Sequence, residues 1–241
     1  MNIPPDRKYS QSTLNTKESS LNKKNSETNI AYLSFGSNKA DTITGKIKFI
    51  EKAIESLKEN MAIQVRAISS LYETKPIGLK EANPANFINA VCRIETQLSP
   101  YQLLEICKQI EQKLGRGNEE KGLLQSRFID IDILFFNDLI LDNSIQKNPG
   151  EDWEDECEER IAPGIQFKAP PYKLGWGYSL VDLHIPHPRC CERDFILMPL
   201  EEVIESNWVE PKTKLTFKEI RDKCQMNSIV GKHYFSNQMT N

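Results

Sequence analysis

Ten residues, Arg127-Phe128-Ile129-Asp130-Ile131-Asp132-Ile133-Leu134-Phe135-Phe136, constrain this chain more than any other stretch. Their pattern has period two, the spacing of a β-strand, with Ile129, Ile131, Ile133 and Phe135 on one face and Asp130 and Asp132 on the other. Burying the apolar face would hold the two carboxylates side by side, with Arg127 at the strand's entry. Carboxylates on a rigid element suit Mg²⁺, which commonly takes its remaining ligands from water and substrate phosphates. Arginine's planar fork grips phosphate oxygens two at a time. An isolated D-x-D equally suits a solvated sheet face paired with lysines and arginines. The rest of the chain decides.

The 241 residues fit one or two domains, and the pattern along them favours one domain over 29–241 with additions. Residues 1–28 are rich in Ser, Asn, Lys and Thr and carry too few large apolar groups to order themselves, so they read as a disordered polar tail. Ile30 to Phe35 is a short strand that stops at Gly36-Ser37-Asn38. From Gly45 to Asn60, Ile47, Ile50, Ala53, Ile54 and Leu57 recur at helical spacing. Ala62 to Tyr72 is β-rich. From Phe87 to Thr96, Phe87, Asn89, Val91 and Arg93 alternate with Ile88, Ala90, Cys92 and Ile94. Ser99 caps a helix with Pro100 at its first position and Leu103, Leu104, Cys107, Ile110 and Leu114 along its buried stripe; Gly115 closes it. The D-x-D strand follows, and Thr216 to Cys224 is a last short helix. The order β-α-β-β-α-β predicts an α+β fold: a ferredoxin-like split β-α-β core with a mostly antiparallel sheet and two helices on one face. An acidic and Pro/Gly-containing insertion at about 144–182 interrupts it, with Trp153, Tyr172 and Trp176 as docking points.

Composition narrows the function. A net charge of −3 gives no basic footprint for nucleic acid. No apolar run reaches membrane-spanning length, and residues 1–29 contain no signal-peptide core. The expectation is a cytoplasmic protein with neither a nucleic-acid nor a membrane partner. Six cysteines without a C-x-x-C pair and three histidines support zinc poorly. Cys92 and Cys107 fall at apolar positions and read as buried free thiols.

Three further clusters surround the carboxylate strand. In Pro186-His187-Pro188 the prolines fix the imidazole's direction, and Arg189 and Arg193 stand beside it with charge suited to polyphosphate. Glu111 and Gly115-Arg116-Gly117 lead into a polar, Gly-punctuated loop that could close over a nucleotide or be an ordinary connection. Tyr72-Glu73-Thr74-Lys75-Pro76-Ile77-Gly78, with Phe87 and Asn89, offers stacking and hydrogen bonds to a flat heterocycle, Phe195 adding a second ring; core packing and turn formation would explain the same residues.

Taken in order, Phe35-Gly36-Ser37-Asn38, Tyr72-x-Thr74-x-Pro76-x-Gly78, Asn86-Phe87-x-Asn89-Ala90, Glu111-x-x-x-Gly115-Arg116, Arg127-x-x-Asp130-x-Asp132-Ile133-Leu134, and Pro186-His187-Pro188 with Arg193-x-Phe195-x-Leu197-x-Pro199-Leu200 resemble the 6-hydroxymethyl-7,8-dihydropterin pyrophosphokinases of folate biosynthesis. The resemblance implies transfer of pyrophosphate from ATP to 6-hydroxymethyl-7,8-dihydropterin, with AMP released. It implies two Mg²⁺ ions on Asp130 and Asp132, and catalytic roles for these two with Arg116, Arg127, His187 and Arg193. It places Thr74, Ile77, Phe87, Asn89 and Phe195 around the pterin. Glu111, Arg116, Arg127, Ile133, His187 and Arg193 fall to ATP, and a folate-pathway enzyme is a candidate partner. The chain departs from the family at Ser126, where proline is usual, at Asn118, where a second basic residue is common, and in its long 144–182 connection. A non-catalytic pterin- or nucleotide-binding relative and another Mg²⁺-dependent nucleotidyltransferase are the alternative readings.

Overall fold

The computed structural model describes residues 28–79, 83–115, 126–141 and 183–235. The expectations for the polar tail and for the 144–182 insertion therefore fall outside the described residues, as does Arg116. Strand β1 (Asn29–Ser37) is followed by helix α1 (Ile43–Lys58), strands β2 (Ile63–Ile68), β3 (Leu71–Thr74) and β4 (Phe87–Thr96), helix α2 (Pro100–Lys113) and strand β5 (Asp130–Phe136). After these come a 3-10 turn at Cys190–Glu192, helices α3 (Asp194–Glu201) and α4 (Phe217–Lys223), and strand β6 (Ile229–His233).

The sheet runs β5-β1-β4-β3-β6, with β2 also on β4, and every pairing among these strands is antiparallel. The β-rich stretch 62–72 is one strand position divided in two. β2 pairs with the far half of β4 and β3 with the near half, while Ser69 bridges the break by accepting the Val91 N–H on its hydroxyl at 2.9 Å and donating its own N–H to the Val91 carbonyl.

Both long helices begin where the sequence provides a cap. Thr42 Oγ1 accepts the Gly45 N–H at 3.0 Å, and Ser99 and Gln102 form a reciprocal capping box ahead of Pro100. Gly115 follows α2 at φ 106°, and a Cβ there would come within 3.2 Å of the Phe128 ring, so glycine serves both conformation and space. The inward stripes Ile50, Ala53, Ile54, Leu57 and Leu103, Leu104, Cys107, Ile110 bury against Leu33, Phe35, Ile88, Ala90, Cys92 and Ile131. Cys92 and Cys107 are buried free thiols, and burial pushes Cys107 up to about 12.

The opposite face is also covered, which the two-helix expectation omits. Leu197 and Leu200 of α3, with Ile220 of α4, close over Tyr32, Val91, Leu134 and Phe135. Phe135 therefore lies on the carboxylate side of the sheet, not with the isoleucines. The cause is a β-bulge. Leu33 stands opposite Ile133 but Tyr32 opposite Phe135, so Leu134 is an extra residue and the alternation changes phase. α3 and α4 stop short of the far end of this face, and the exposed floor there is the candidate site.

Candidate active site

A cleft of about 230 Å³ lies over the ends of β1, β4 and β5. Its floor follows from register. Asp130 stands opposite Gly36 and Asp132 opposite Ser34 across β1, and Asn89 stands opposite Gly36 on the other side. Asn89 in turn faces Tyr72, and Phe87 faces Thr74. Period-two alternation thus brings Asp130, Asp132, Gly36, Ser34, Asn89, Phe87 and Thr74 onto one surface, and all of them line the cleft.

At the carboxylate end, Arg127 pairs with Asp130, whose side chain is 20% exposed. Arg189 and Arg193 line the same cleft from the turn that precedes α3. Arg189 has φ 66°, an uncommon backbone for a residue with a Cβ, and strain of this kind collects where a side chain must be aimed. Burial, and then the charge of Arg189, press the Arg193 pKa below its ordinary value. Two carboxylates on a rigid strand, with no third His, Cys, Asp or Glu completing a cluster among the described residues, are a poor closed cage. They are a good half-site for Mg²⁺ that shares its other ligands with phosphate.

His187 is not part of the cleft wall. Its N–H donates to the Leu134 carbonyl at 2.9 Å, which lays the Pro-His-Pro segment along β5. Its ring sits within electrostatic reach of Asp132, Arg193 and Asp130, and Nδ1 is buried without a hydrogen-bond partner among the described residues. Burial lowers the imidazole's pKa from 6.5; Asp132 opposes this and Arg193 adds to it. The sign of the consequence is fixed. Above 6.5 both folded and unfolded chains hold a neutral His187, whereas below it the unfolded chain takes up a proton that the fold resists, so stability falls with pH until the folded imidazole also protonates. His187→Gln should remove this part of the acid sensitivity in thermal melts taken from about pH 7 to about pH 5. Parallel melt–pH curves for the two proteins would contradict it.

At the other end, Phe87, Phe195, Ile77 and Thr74 surround Asn89. Asn89 Nδ2 donates to Thr74 Oγ1 at 2.8 Å, and a Cβ built on Gly36 would lie 3.3 Å from Asn89 Oδ1, so the amide oxygen sits over the floor of the cleft. The Arg193 guanidinium lies 5.6 Å from the Phe195 ring centre and links the two ends.

Glu111 and Ile133, the two residues expected near the nucleotide, have buried side chains. Glu111 is buried beneath the sheet edge, where its carboxylate accepts the Ile131 N–H at 2.7 Å and pairs with Lys108 at 2.8 Å. It fixes the strand that carries the aspartates. The Ile133 side chain is in the core, but by the two-residue period its main chain turns to the same outer edge of β5 as that of Ile131.

Asn38 has a role the sequence reading did not isolate. It is 1% exposed; Nδ2 donates to Ser126 Oγ at 3.0 Å and Oδ1 accepts the Arg127 N–H at 2.7 Å. Ser126, a departure from the usual proline, thus supplies a hydroxyl to the group that anchors Arg127. In the sequence Asn38 stands only as the last residue of Phe35-Gly36-Ser37-Asn38, a block that reads equally as a turn.

Fold and site together define the class: a ferredoxin-like α+β protein whose cleft joins two strand carboxylates, three arginines and a ring-lined recess. The chain belongs to the 7,8-dihydro-6-hydroxymethylpterin-pyrophosphokinase (HPPK) family, which it matches over residues 32–205. It is 33% identical over 177 residues to the 2-amino-4-hydroxy-6-hydroxymethyldihydropteridine pyrophosphokinase of Bacillus subtilis, covering 73% of this chain and 79% of that one. It is 32% identical over 231 residues to the folic acid synthesis protein fol1 of Schizosaccharomyces pombe; the match takes in 95% of this chain but only 24% of fol1. Among solved structures, wild-type HPPK-DHPS of Plasmodium falciparum shares the fold with a TM-score of 0.52 at 20% identity, over 82% of this chain and 45% of that one.

Proposed function

We propose that this chain transfers the β,γ-pyrophosphoryl unit of ATP to the hydroxymethyl oxygen of 6-hydroxymethyl-7,8-dihydropterin and releases AMP. The observation that carries the proposal is the shared cleft: Asp130 and Asp132 beside three arginines at one end, and Asn89 between Phe87 and Phe195 at the other. Its volume of about 230 Å³ is below the roughly 300–1,000 Å³ of sites that enclose a drug-sized ligand. That suits a bicyclic heterocycle inside, with the triphosphate lying outward along Arg127, Arg189 and Arg193.

Asp130 and Asp132 would hold two Mg²⁺ ions, which when bound neutralise triphosphate charge and align the attacking and leaving oxygens. Asp130 also faces the incoming hydroxyl and takes its proton as the oxygen bonds to the β-phosphorus and the bond to AMP breaks. Arg127, now paired with Asp130, grips phosphate with Arg193 and Arg189. Arg116 joins them on the strength of the family resemblance alone. His187, neutral at physiological pH, donates one N–H toward phosphate. Asn89 reads the pterin's edge while Phe87 and Phe195 stack on its faces, Thr74 orienting the amide and Ile77 closing the rim. The Ile133 main chain faces the adenine, and Glu111 keeps β5 in place from behind. Most of the rate enhancement is positioning and fixed charge.

The much longer S. pombe relative supports a further folate-pathway enzyme as partner. No helix among the described residues is long and apolar enough to cross a membrane. The test is product identity. Purified protein with ATP, Mg²⁺ and the pterin should form AMP, and only when all three are present. ADP or pyrophosphate as the nucleotide-side product would refute the assignment.

A further inference from the structure

Strand β6 and the residue before it lie beyond the family-matched span of 32–205, yet they join the two walls of the heterocycle end. One wall is α3, where Asp194 sits between the cleft residues Arg193 and Phe195. The other is the loop that leaves β3 at Thr74 and runs through Lys75, Ile77 and Gly78. Asp194 is 2% exposed, and its carboxylate accepts the Ser228 N–H at 2.7 Å and the Ser228 hydroxyl. Ser228, also 2% exposed, accepts the Lys75 N–H on its carbonyl at 2.9 Å. A single residue of the C-terminal segment therefore ties the start of the pocket loop to the helix that carries Phe195.

Among the described residues no lysine or arginine forms an ion pair with Asp194, so two hydrogen-bond donors carry its desolvated charge. Such a group is a costly way to gain stability, since an apolar pair of the same shape would serve better. It does hold one geometry, because a carboxylate accepting two bonds from one residue fixes distance and angle together. The other side-chain links of β6, His233 to Glu73 and Lys232 to Glu202, are more exposed, and its backbone ladder with β3 ends at Ile229 opposite Thr74, where the loop begins.

We infer that Asp194 and Ser228 are positioning residues which set the width of the pterin end of the cleft, making the C-terminal segment part of the substrate-recognition apparatus. This rests on reading that end as the pterin site, so the experiment includes Phe195→Ala as its own control. Steady-state kinetics for both substrates, thermal melts, and hydrogen exchange at the Lys75 amide are measured on the full chain and on Ser228→Ala, Ser228→Thr and Phe195→Ala. Ser228→Ala should raise KM for the pterin roughly tenfold, the effect of one lost hydrogen bond to a buried charge, with KM for ATP within about twofold of normal. Lys75 should exchange faster, and Ser228→Thr, which keeps the hydroxyl, should restore both. An unchanged pterin KM in Ser228→Ala, while Phe195→Ala raises it, overturns the inference and leaves the pocket intact. No effect in Phe195→Ala removes the pocket reading and the inference with it. Equal losses for both substrates, or a Ser228→Ala chain that fails to fold, would make the pair a structural tie and overturn its role in recognition.

Discussion

Asp132→Ala is expected to lower turnover by roughly 10²- to 10⁴-fold, corresponding to about 3–5 kcal/mol of lost transition-state stabilisation, while the melting temperature of the free protein stays almost unchanged. The two effects separate because of where the residue sits. Asp132 is half-buried on the cleft floor opposite Ser34, next to Asp130, and without Mg²⁺ it is repelled by that carboxylate and attracted by Arg193. Removing it sets relieved repulsion against lost attraction and exposes no apolar surface. Asp130→Ala is the less clean variant, since it also removes the carboxylate that pairs with Arg127. A second measurement reads the site without turnover. Mg²⁺ with a non-hydrolysable ATP analogue should raise the wild-type melting temperature by mass action and raise that of Asp132→Ala far less. Equal ligand-induced shifts would show that Asp132 holds no metal, whatever happened to the rate.

The position of this aspartate is legible in the sequence, and the reason is physical. A strand with one buried and one open face leaves a period-two signature, and Asp130-Ile131-Asp132 carries it plainly. The signature fails three residues later. Ile133-Leu134-Phe135-Phe136 is continuously apolar, so a bulge can change the phase of alternation without leaving a mark in the sequence. Only pairing with Tyr32 and Leu33 fixes which face Phe135 takes.

Helix α3 escaped for a related reason. Phe195, Ile196, Leu197 and Leu200 cover more than one helical face, and Pro199 sits inside the helix, where it donates no hydrogen bond. Strand β6 is Ile-Val-Gly-Lys-His, too short and too polar to announce itself, and its place comes from pairing with β3. Cap chemistry behaved in the opposite way. Ser99 with Pro100, and Thr216 with Glu219, are local motifs whose partners lie three residues away, and both helices start where those residues place them. Glu111 marks the limit of motif reading in another way: the pattern singles it out, but its bond to the main chain of Ile131 depends on how α2 packs on β5.

Gly36 completes the picture, because sequence punctuation misassigned it. Glycine followed by Ser-Asn reads as the end of a strand, yet β1 runs on through Gly36 and Ser37, paired with Asn89 and Ile88. Its backbone does not have the positive φ found at Gly78 and Gly115, so a side chain could be carried without conformational strain. What excludes one is space. A Cβ would come 3.3 Å from Asn89 Oδ1 and 3.7 Å from Phe87 Cδ1, at the ring-lined end of the cleft floor. In a strand, a glycine at such a point marks where something else must approach the backbone closely. Gly36→Val therefore tests the pocket by filling it. Valine favours extended backbone, and its branches would project into the cleft rather than the core, so the fold should persist, with a melting temperature somewhat lowered because the Asn89 amide has to give way to the new Cβ. Forcing the added bulk against a bound pterin should cost about 2–3 kcal/mol, a fall of some tens to about a hundredfold in kcat/KM for the pterin. Binding of an ATP analogue with Mg²⁺ should be weakened far less, because Asp132 and Arg193 do not stand opposite residue 36, although Asp130 does. A Gly36→Val protein that kept its pterin KM would place the heterocycle elsewhere, since no flat ring could rest on that floor and fail to meet the new side chain.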